Sequence, residues 1–299
     1  MKTSTSKRLR WNVAIWLAAG LFMTSTAGMA SGPILPDPKA EARHHPQIEE
    51  TANGIPLVNI TAPSSGGVSR NEYEMFNVPD KGAILNNSYT LSKTELAGYV
   101  PGNNNMAERP AKIIVNEVTG TGSTSMDGFL EVAGNRADVV IANPNGITVN
   151  GGGFINTGKA FLTTGKPVYD GEDHLQRFDI TGGDILIEGK GLGGKETESL
   201  AILSRAVKIN AGIWAEDLHI TTGANTVDAK TLEASAIEGK GGRPAFALDT
   251  AAIGGMYAGR ITLVGTEKGL GVNNSGTWSA EDNLTLDWNG HLKNSGTIY

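Results

Sequence analysis

Apolar residues in this chain come in short bursts, not long stripes. Between Arg136 and Pro167 the bursts Val139-Val140-Ile141, Ile147 to Val149, Phe154-Ile155 and Phe161-Leu162 follow one another, and Asn or Gly interrupts them at almost every corner. Val139-Val140-Ile141 lacks polar alternation and predicts a strand covered on both faces. Asn143-Pro144-Asn145-Gly146 predicts a tight turn. Asn at the first position, Pro with its φ preset at the second and Gly at the fourth suit type I, although Asn145 also tolerates left-handed φ and leaves the type open. Further strands are predicted at Lys112 to Val118, Phe129 to Val132, Asp138 to Ala142, Asp179 to Ile187, Leu200 to Ile209 and Asp217 to Thr222. Gly-rich or acidic excursions, Gly165 to His174 and Glu238 to Arg243, lie between them. Strand, corner, strand, corner is the rhythm of an all-β solenoid, and the 40 glycines fit corners and close coil-to-coil approach.

The carboxyl end contains a repeat. Asn274-Ser275-Gly276-Thr277-Trp278 recurs as Asn294-Ser295-Gly296-Thr297-Ile298, with Leu284 to Trp288 as the strand between. A period near twenty is one coil of a parallel β-helix, stacked about 4.8 Å from the next, and matching Asn side chains in successive coils can bond in ladders. Residues 273–299 therefore open a run of β-helix repeats. The chain stops at Tyr299 inside a repeat, which predicts a truncated piece, a short gene remnant or the head of a longer rod, because a bare last coil is an adhesive edge. At the other end, residues 31–53 carry Pro, Glu and His without periodicity and predict a mobile or loosely capped start.

The NPNGI turn followed by NGGGFINTG and LTTGKP resembles the amino-terminal two-partner secretion (TPS) domain of the filamentous haemagglutinin and contact-dependent-inhibition exoproteins of Gram-negative bacteria. Ser69-Arg70-Asn71 with Phe76-Asn77-Val78, Ile114 to Val118, Gly128 to Gly134, Ile202 to Ala206 and Gly254 to Ala258 are similar to the family's other blocks and stand in the family's order. The resemblance runs from about Gly54 to the last residue and puts the secretion domain at 54–272. It implies a right-handed parallel β-helix with an N-terminal antiparallel cap, placed at roughly Ile55 to Ile84, and hairpins lying outside the helix. It also implies export by the Sec machinery, recognition of the unfolded chain in the periplasm by a TpsB-type outer-membrane barrel transporter through its periplasmic domains, and folding at the surface. Receptors on host cells or neighbouring bacteria are implied for the parent protein, an adhesin, haemagglutinin or toxin carrier. Asn143, Pro144, Asn145, Gly146 and Ile147 match the family's secretion motif. Asn103 and Asn105 stand where relatives carry an earlier Asn-Pro-Asn-Leu turn; here that stretch reads Asn103-Asn104-Asn105-Met106, and the φ restraint of the Pro is lost. Some relatives place cysteines where Val149 and Gly152 stand, so nothing that needs a thiol transfers.

Composition agrees with export. Lys2, Lys7, Arg8 and Arg10 precede an apolar core from Trp11 to Met23 and the small residues Ala27-Gly28-Met29-Ala30, a signal-peptide pattern over residues 1–30 with cleavage expected after Ala30 or Ala27. The apolar core falls short of the roughly 20 residues that span a bilayer, so no stable membrane insertion is expected. The whole chain carries 25 Lys and Arg against 31 Asp and Glu, and loss of a leader with four bases and no acid makes it more acidic still. Such a chain, without a basic stripe, is a poor partner for nucleic acid. It has no cysteine, which suits a polypeptide that crosses a pore uncrosslinked.

Chemical motifs are sparse. Gly189 to Gly194 fits GxGxxG and leads into KETESLAIL, a stretch with helical character, but Glu196 follows Lys195 where a phosphate loop needs Ser or Thr, and its carboxylate would repel phosphate. His44-His45 and the loop Asp170, Glu172, Asp173, His174 lack metal-site spacing, and no cofactor is expected. No nucleophile elbow or cysteine nucleophile is present, so an enzyme is not expected. Asp138, Asp184 and Asp228 are the carboxylates that a polysaccharide-active β-helical enzyme, the reading from another class, would use. The secretion domain of a cytolysin or haemolysin is the alternative within the family.

Overall fold

The computed structural model describes residues 33–107 and 109–299. The expected signal peptide lies outside the described residues. Parallel strands stack coil upon coil into three ribbons that enclose one apolar interior. The first ribbon contains Ala83–Asn87, Phe129–Gly134, Gly152–Ile155 and Leu192–Gly194. The second contains Val68–Phe76, Ile113–Val118, Ala137–Ala142, Thr157–Thr163 and Ser199–Ser204. The third starts at Thr124–Met126 and Ile147–Val149 and ends at Leu292–Asn294. Three long strands, Gly212–Thr222, Gly255–Gly265 and Thr277–Trp288, span the first and second ribbons together. This is a right-handed parallel β-helix, the hand that twisted strands impose on parallel crossovers.

Period-two patterning decides which side chains fill the interior. Ile114, Val139, Ile141, Leu162 and Ile202 point inward from the second ribbon and are fully buried. Their neighbours Val115, Val140, Ala142, Phe161, Ala201 and Leu203 point outward and are also buried. An external four-stranded sheet covers them: Lys166–Tyr169, Leu175–Ile180, Asn225–Asp228 and Ala234–Ala236, all antiparallel. Phe178, Ile180 and Val227 supply its inner face. That is why Val139-Val140-Ile141 is apolar throughout: one side faces the prism and the other faces the hairpins. Covering a side chain such as Phe178 contributes about 2–3 kcal/mol.

Several strand expectations need correction. Asp179 to Ile187 is two strands parted at Thr181 to Gly183, where Gly183 takes φ +81° at the corner. Leu200 to Ile209 likewise divides at Arg205, which turns the chain from the second ribbon to the third. KETESLAIL is not helical: it ends in Ser199–Ser204, paired in parallel with Thr157–Thr163. Short range composition favours a helix there, but a strand partner on either side wins.

The amino-terminal segment differs more. The expected mobile start instead holds Ile34–Pro36, a 3-10 turn at Ala42–His44, and Gln47–Glu50. Ile34–Pro36 pairs antiparallel with Val68–Phe76, and Gln47–Glu50 pairs antiparallel with Pro56–Asn59. The antiparallel cap thus comes from these earlier residues. Strands within Ile55 to Ile84 pair in parallel with the helix on their other edge. They need capping partners because their outer N–H and C=O groups would otherwise be unpaired. At the far end the repeat forms as expected: Asn274 Nδ2 donates to Asn294 Oδ1 at 2.9 Å, and Thr277 lies beside Thr297.

Candidate functional site

Asn143 closes the strand Ala137–Ala142, and the turn after it delivers the chain to Ile147–Val149 on the third ribbon. Gly146 N–H donates to Asn143 O at 3.1 Å, and Asn145 N–H donates to Asn143 Oδ1 at 2.9 Å. Asn145 keeps negative φ, which excludes type II and leaves type I, and the glycine at the fourth position takes φ +112°. A Cβ on Gly146 would stand 3.0 Å from the Asp184 carbonyl oxygen, so only glycine suits both the φ and the space.

The side chains then tie this corner to the preceding coil. Asn143 Nδ2 donates to Gly122 O at 2.9 Å and to Thr124 Oγ1 at 3.0 Å, while Asn145 Nδ2 donates to Gly120 O at 2.9 Å. Asn143 is fully buried and Ile147 nearly so; Pro144 and Asn145 form an exposed tip.

The second expected turn repeats the scheme without proline. Asn105 N–H donates to Asn103 Oδ1 at 3.0 Å and Met106 N–H to Asn103 O at 3.1 Å. Asn103 Nδ2 donates to Ile60 O and Asn86 O, both at 2.9 Å, and Asn105 Nδ2 donates to Ile60 O at 3.1 Å. In both turns the first Asn is a buried anchor, the third residue is a less buried Asn, and both amides reach backbone carbonyls of another segment. Residues 104–106 wind into a 3-10 turn, and Ala107 adopts φ +37°. The two turns occupy different corners and share no hydrogen bond with each other.

One cluster escapes sequence reasoning. Arg70 Nη2 lies 2.8 Å from Glu72 Oε1 and 3.3 Å from Glu117 Oε2, and its guanidinium sits 4.5 Å over the Tyr169 ring. His44 Nδ1 is 3.2 Å from Glu72 Oε1. Cap, second ribbon and external hairpin therefore meet at one charge group. Burial pushes the Glu117 carboxyl up against the opposing pull of Arg70. Burial, then Arg70, holds the His44 imidazole below its ordinary value, with Glu72 pulling the other way. Arg70 and Glu117 fall in the quoted family blocks, but nothing in their spacing announces that residues so far apart converge.

Asp170 carboxylate oxygens accept from the N–H groups of Glu172 and His174 and meet His174 Nδ1 at 2.9 Å, which lowers the Asp170 pKa. Asp228 accepts from Lys230 and Thr231 N–H in a hairpin loop. Asp138 accepts from Lys159 N–H, Asp184 opens a strand, and the three carboxylates do not converge. Arg136 pairs with Glu198 and the Thr157 carbonyl. Gly189 to Gly194 turns between two coils, and its Leu192–Gly194 stretch is a strand beside Gly152–Ile155. Among the described residues no group of three or more His, Asp or Glu side chains could hold a metal ion.

A family model for the TPS secretion domain matches residues 33–298. The chain belongs to the TPS secretion domain family. The match takes in the strands at 34–50 that complete the cap. The chain is 46% identical to a toxin CdiA of Yersinia pestis over 272 residues, and 44% identical to a 16S rRNA endonuclease CdiA of Enterobacter cloacae over 274. Each alignment covers 90% of this chain and only 8% of the relative. The filamentous haemagglutinin secretion domain, a solved structure, superposes with a TM-score of 0.75 at 29% identity, covering 89% of this chain and 98% of that one. A TPS domain implies a cognate TpsB outer-membrane transporter, and TPS exoproteins are secreted or surface-exposed in Gram-negative bacteria. The nuclease named in some relatives belongs to proteins of which this chain spans 8%.

Proposed function

We propose that this TPS domain directs the export of a contact-dependent-inhibition toxin carrier or related adhesin through the Asn143 to Ile147 corner, seconded by Asn103 and Asn105. The chain leaves the inner membrane by the Sec route and stays unfolded in the periplasm. There the periplasmic domains of its TpsB transporter bind extended segments along their sheet edges. It folds on emergence, and burial of stacked Val, Ile and Leu side chains favours the outward direction without a nucleotide. Receptors on a host or neighbouring cell belong to the parent protein. The carrier reading rests on 46% identity to a toxin CdiA.

The observation that carries the role of the corner is its division of labour. Asn143 is consumed by internal hydrogen bonds, whereas Pro144 and Asn145 protrude, and the Asn145 amide reaches Gly120 O near the surface. Export is measured as the secreted fraction of Pro144→Ala and Asn145→Ala chains expressed with the cognate transporter, beside thermal melting of the same purified chains. A secreted fraction reduced severalfold with melting little changed is expected. Export equal to that of the unmodified chain in both variants would refute the role of this corner.

A further inference from the structure

The outer surface of the first ribbon carries aromatic rings that the secretion reading leaves unused. One column of parallel-paired residues runs across successive coils from Phe129 to Gly153, Gly193, Trp214, Tyr257 and Ser279. Trp214 and Tyr257 are stacked, with ring centroids 6.1 Å apart and planes 15° from parallel. Each is 37% exposed, and Phe129 is 44% exposed.

The rings lie down on the sheet instead of standing off it. A Cβ placed on Gly212 would collide with the Trp214 ring, and one on Gly255 would meet the Tyr257 ring edge at 2.8 Å. Likewise a Cβ on Gly153 would strike Phe129. Glycine two residues before Trp214 and Tyr257, and in the next coil for Phe129, lets each ring settle on backbone. The space that a side chain would fill at each glycine is taken by part of an aromatic ring. All three rings keep more than a third of their surface in water, and the Trp214 and Tyr257 planes run nearly parallel from one coil to the next.

Beside Tyr257 a recess of about 300 Å³ is lined by Lys195, Glu216, Ser279 and Glu281 among others. An apolar shelf with an adjoining row of carboxylate, ammonium and hydroxyl groups has the chemistry of a sugar site. The C–H face of a pyranose ring is apolar and weakly positive and stacks on the negative face of an aromatic ring, while its equatorial hydroxyls bond to polar groups at the edge. Two glutamates against one lysine, on a chain of formal net charge −6, repel sulfated and uronic glycans.

We propose that the Trp214–Tyr257 shelf is a binding surface for a neutral, extended oligosaccharide, with Glu216, Ser279 and Glu281 taking its hydroxyls. The surface is independent of the secretion corner, and its occupant is one of the glycans that coat cells.

Calorimetric titration of the purified chain tests this with β-1,4-linked hexasaccharides of N-acetylglucosamine and of glucose, and a heparin-derived hexasaccharide for contrast. Binding of at least one neutral hexasaccharide is expected, weakened about tenfold or more in Trp214→Ala and in Tyr257→Ala. Trp214→Leu and Tyr257→Leu keep apolar cover over the glycines while removing the ring face, so they preserve the test if the alanine variants fail to fold. They too should lose binding. The proposal is overturned if neither neutral sugar binds at about 5 mM, where a millimolar site would be more than half filled. It is equally overturned if the leucine variants bind as the unmodified chain does, or if only the heparin fragment binds.

Discussion

Replacing Asn143 by alanine removes a fully buried amide that holds two coils in register. Four hydrogen bonds go: Nδ2 to Gly122 O and Thr124 Oγ1, and Oδ1 from Asn145 N and Nδ2. Not all count equally. Gly122 and Asn145 are exposed, so water replaces the amide at those partners, whereas Thr124 is 1% exposed and its hydroxyl is left without a partner. About 1 kcal/mol for that one bond, with about 1–3 kcal/mol for the orphaned hydroxyl and the unfilled buried volume, puts the loss at about 2–4 kcal/mol. Asn145→Ala removes bonds to Gly120 O and Gly122 O, which lie at the surface, and leaves Asn143 Oδ1 its bond from the Asn145 backbone N–H, so it should cost less than about 1 kcal/mol. Urea unfolding followed by circular dichroism, with matched slopes, measures both. The reasoning fails if Asn143→Ala unfolds at the same urea concentration as the unmodified chain, or if Asn145→Ala costs as much as Asn143→Ala.

Gly146→Ala should cost about 1–2 kcal/mol, since φ +112° is disfavoured for a residue with a Cβ and that carbon would crowd the Asp184 carbonyl. Gly171→Ala, in open space, should be neutral by the same melting assay. The charge group around Arg70 predicts a pH effect. With the Glu117 pKa raised above its ordinary 4.5, the folded state holds that proton more tightly than the unfolded one. Its contribution is therefore complete below about pH 4.5 and is lost as pH rises through the folded value. Glu117→Gln should flatten stability over that window; a slope identical to that of the unmodified chain would show that another group sets it. His44 acts oppositely: its lowered pKa costs stability as pH falls below about 6.5, and His44→Gln should remove that loss.

How much of this was legible follows from the range of each interaction. Asn143 to Gly146 specifies its corner within four residues, so the turn could be read directly, and the negative φ of Asn145 resolves the type. Val139-Val140-Ile141 announced cover on both sides because alternation is what an exposed face requires. The matching cover, Phe178 and Val227, could not be assigned to it from spacing. The strands at 34–50 were invisible for another reason: Pro, Glu and His suit an edge that pairs on one side only, and such an edge lacks the apolar run by which inner strands are recognised. Helical character in KETESLAIL misled because pairing on both edges outweighs local preference. The Arg70 group and the Trp214–Tyr257 shelf depend on coil stacking, which sets who neighbours whom only after every excursion length is known.

The external sheet joins hairpin Lys166–Ile180 to Asn225–Ala236, segments that leave the helix from different turns, with Phe178 beside Val227. An ideal solenoid grows like a zip, each new turn consulting only the one before it. Here the earlier hairpin waits for a strand that arrives dozens of residues later before its inner edge is sealed. The middle of the molecule therefore locks as a clasp, making several turns stand or fall together instead of fraying one at a time.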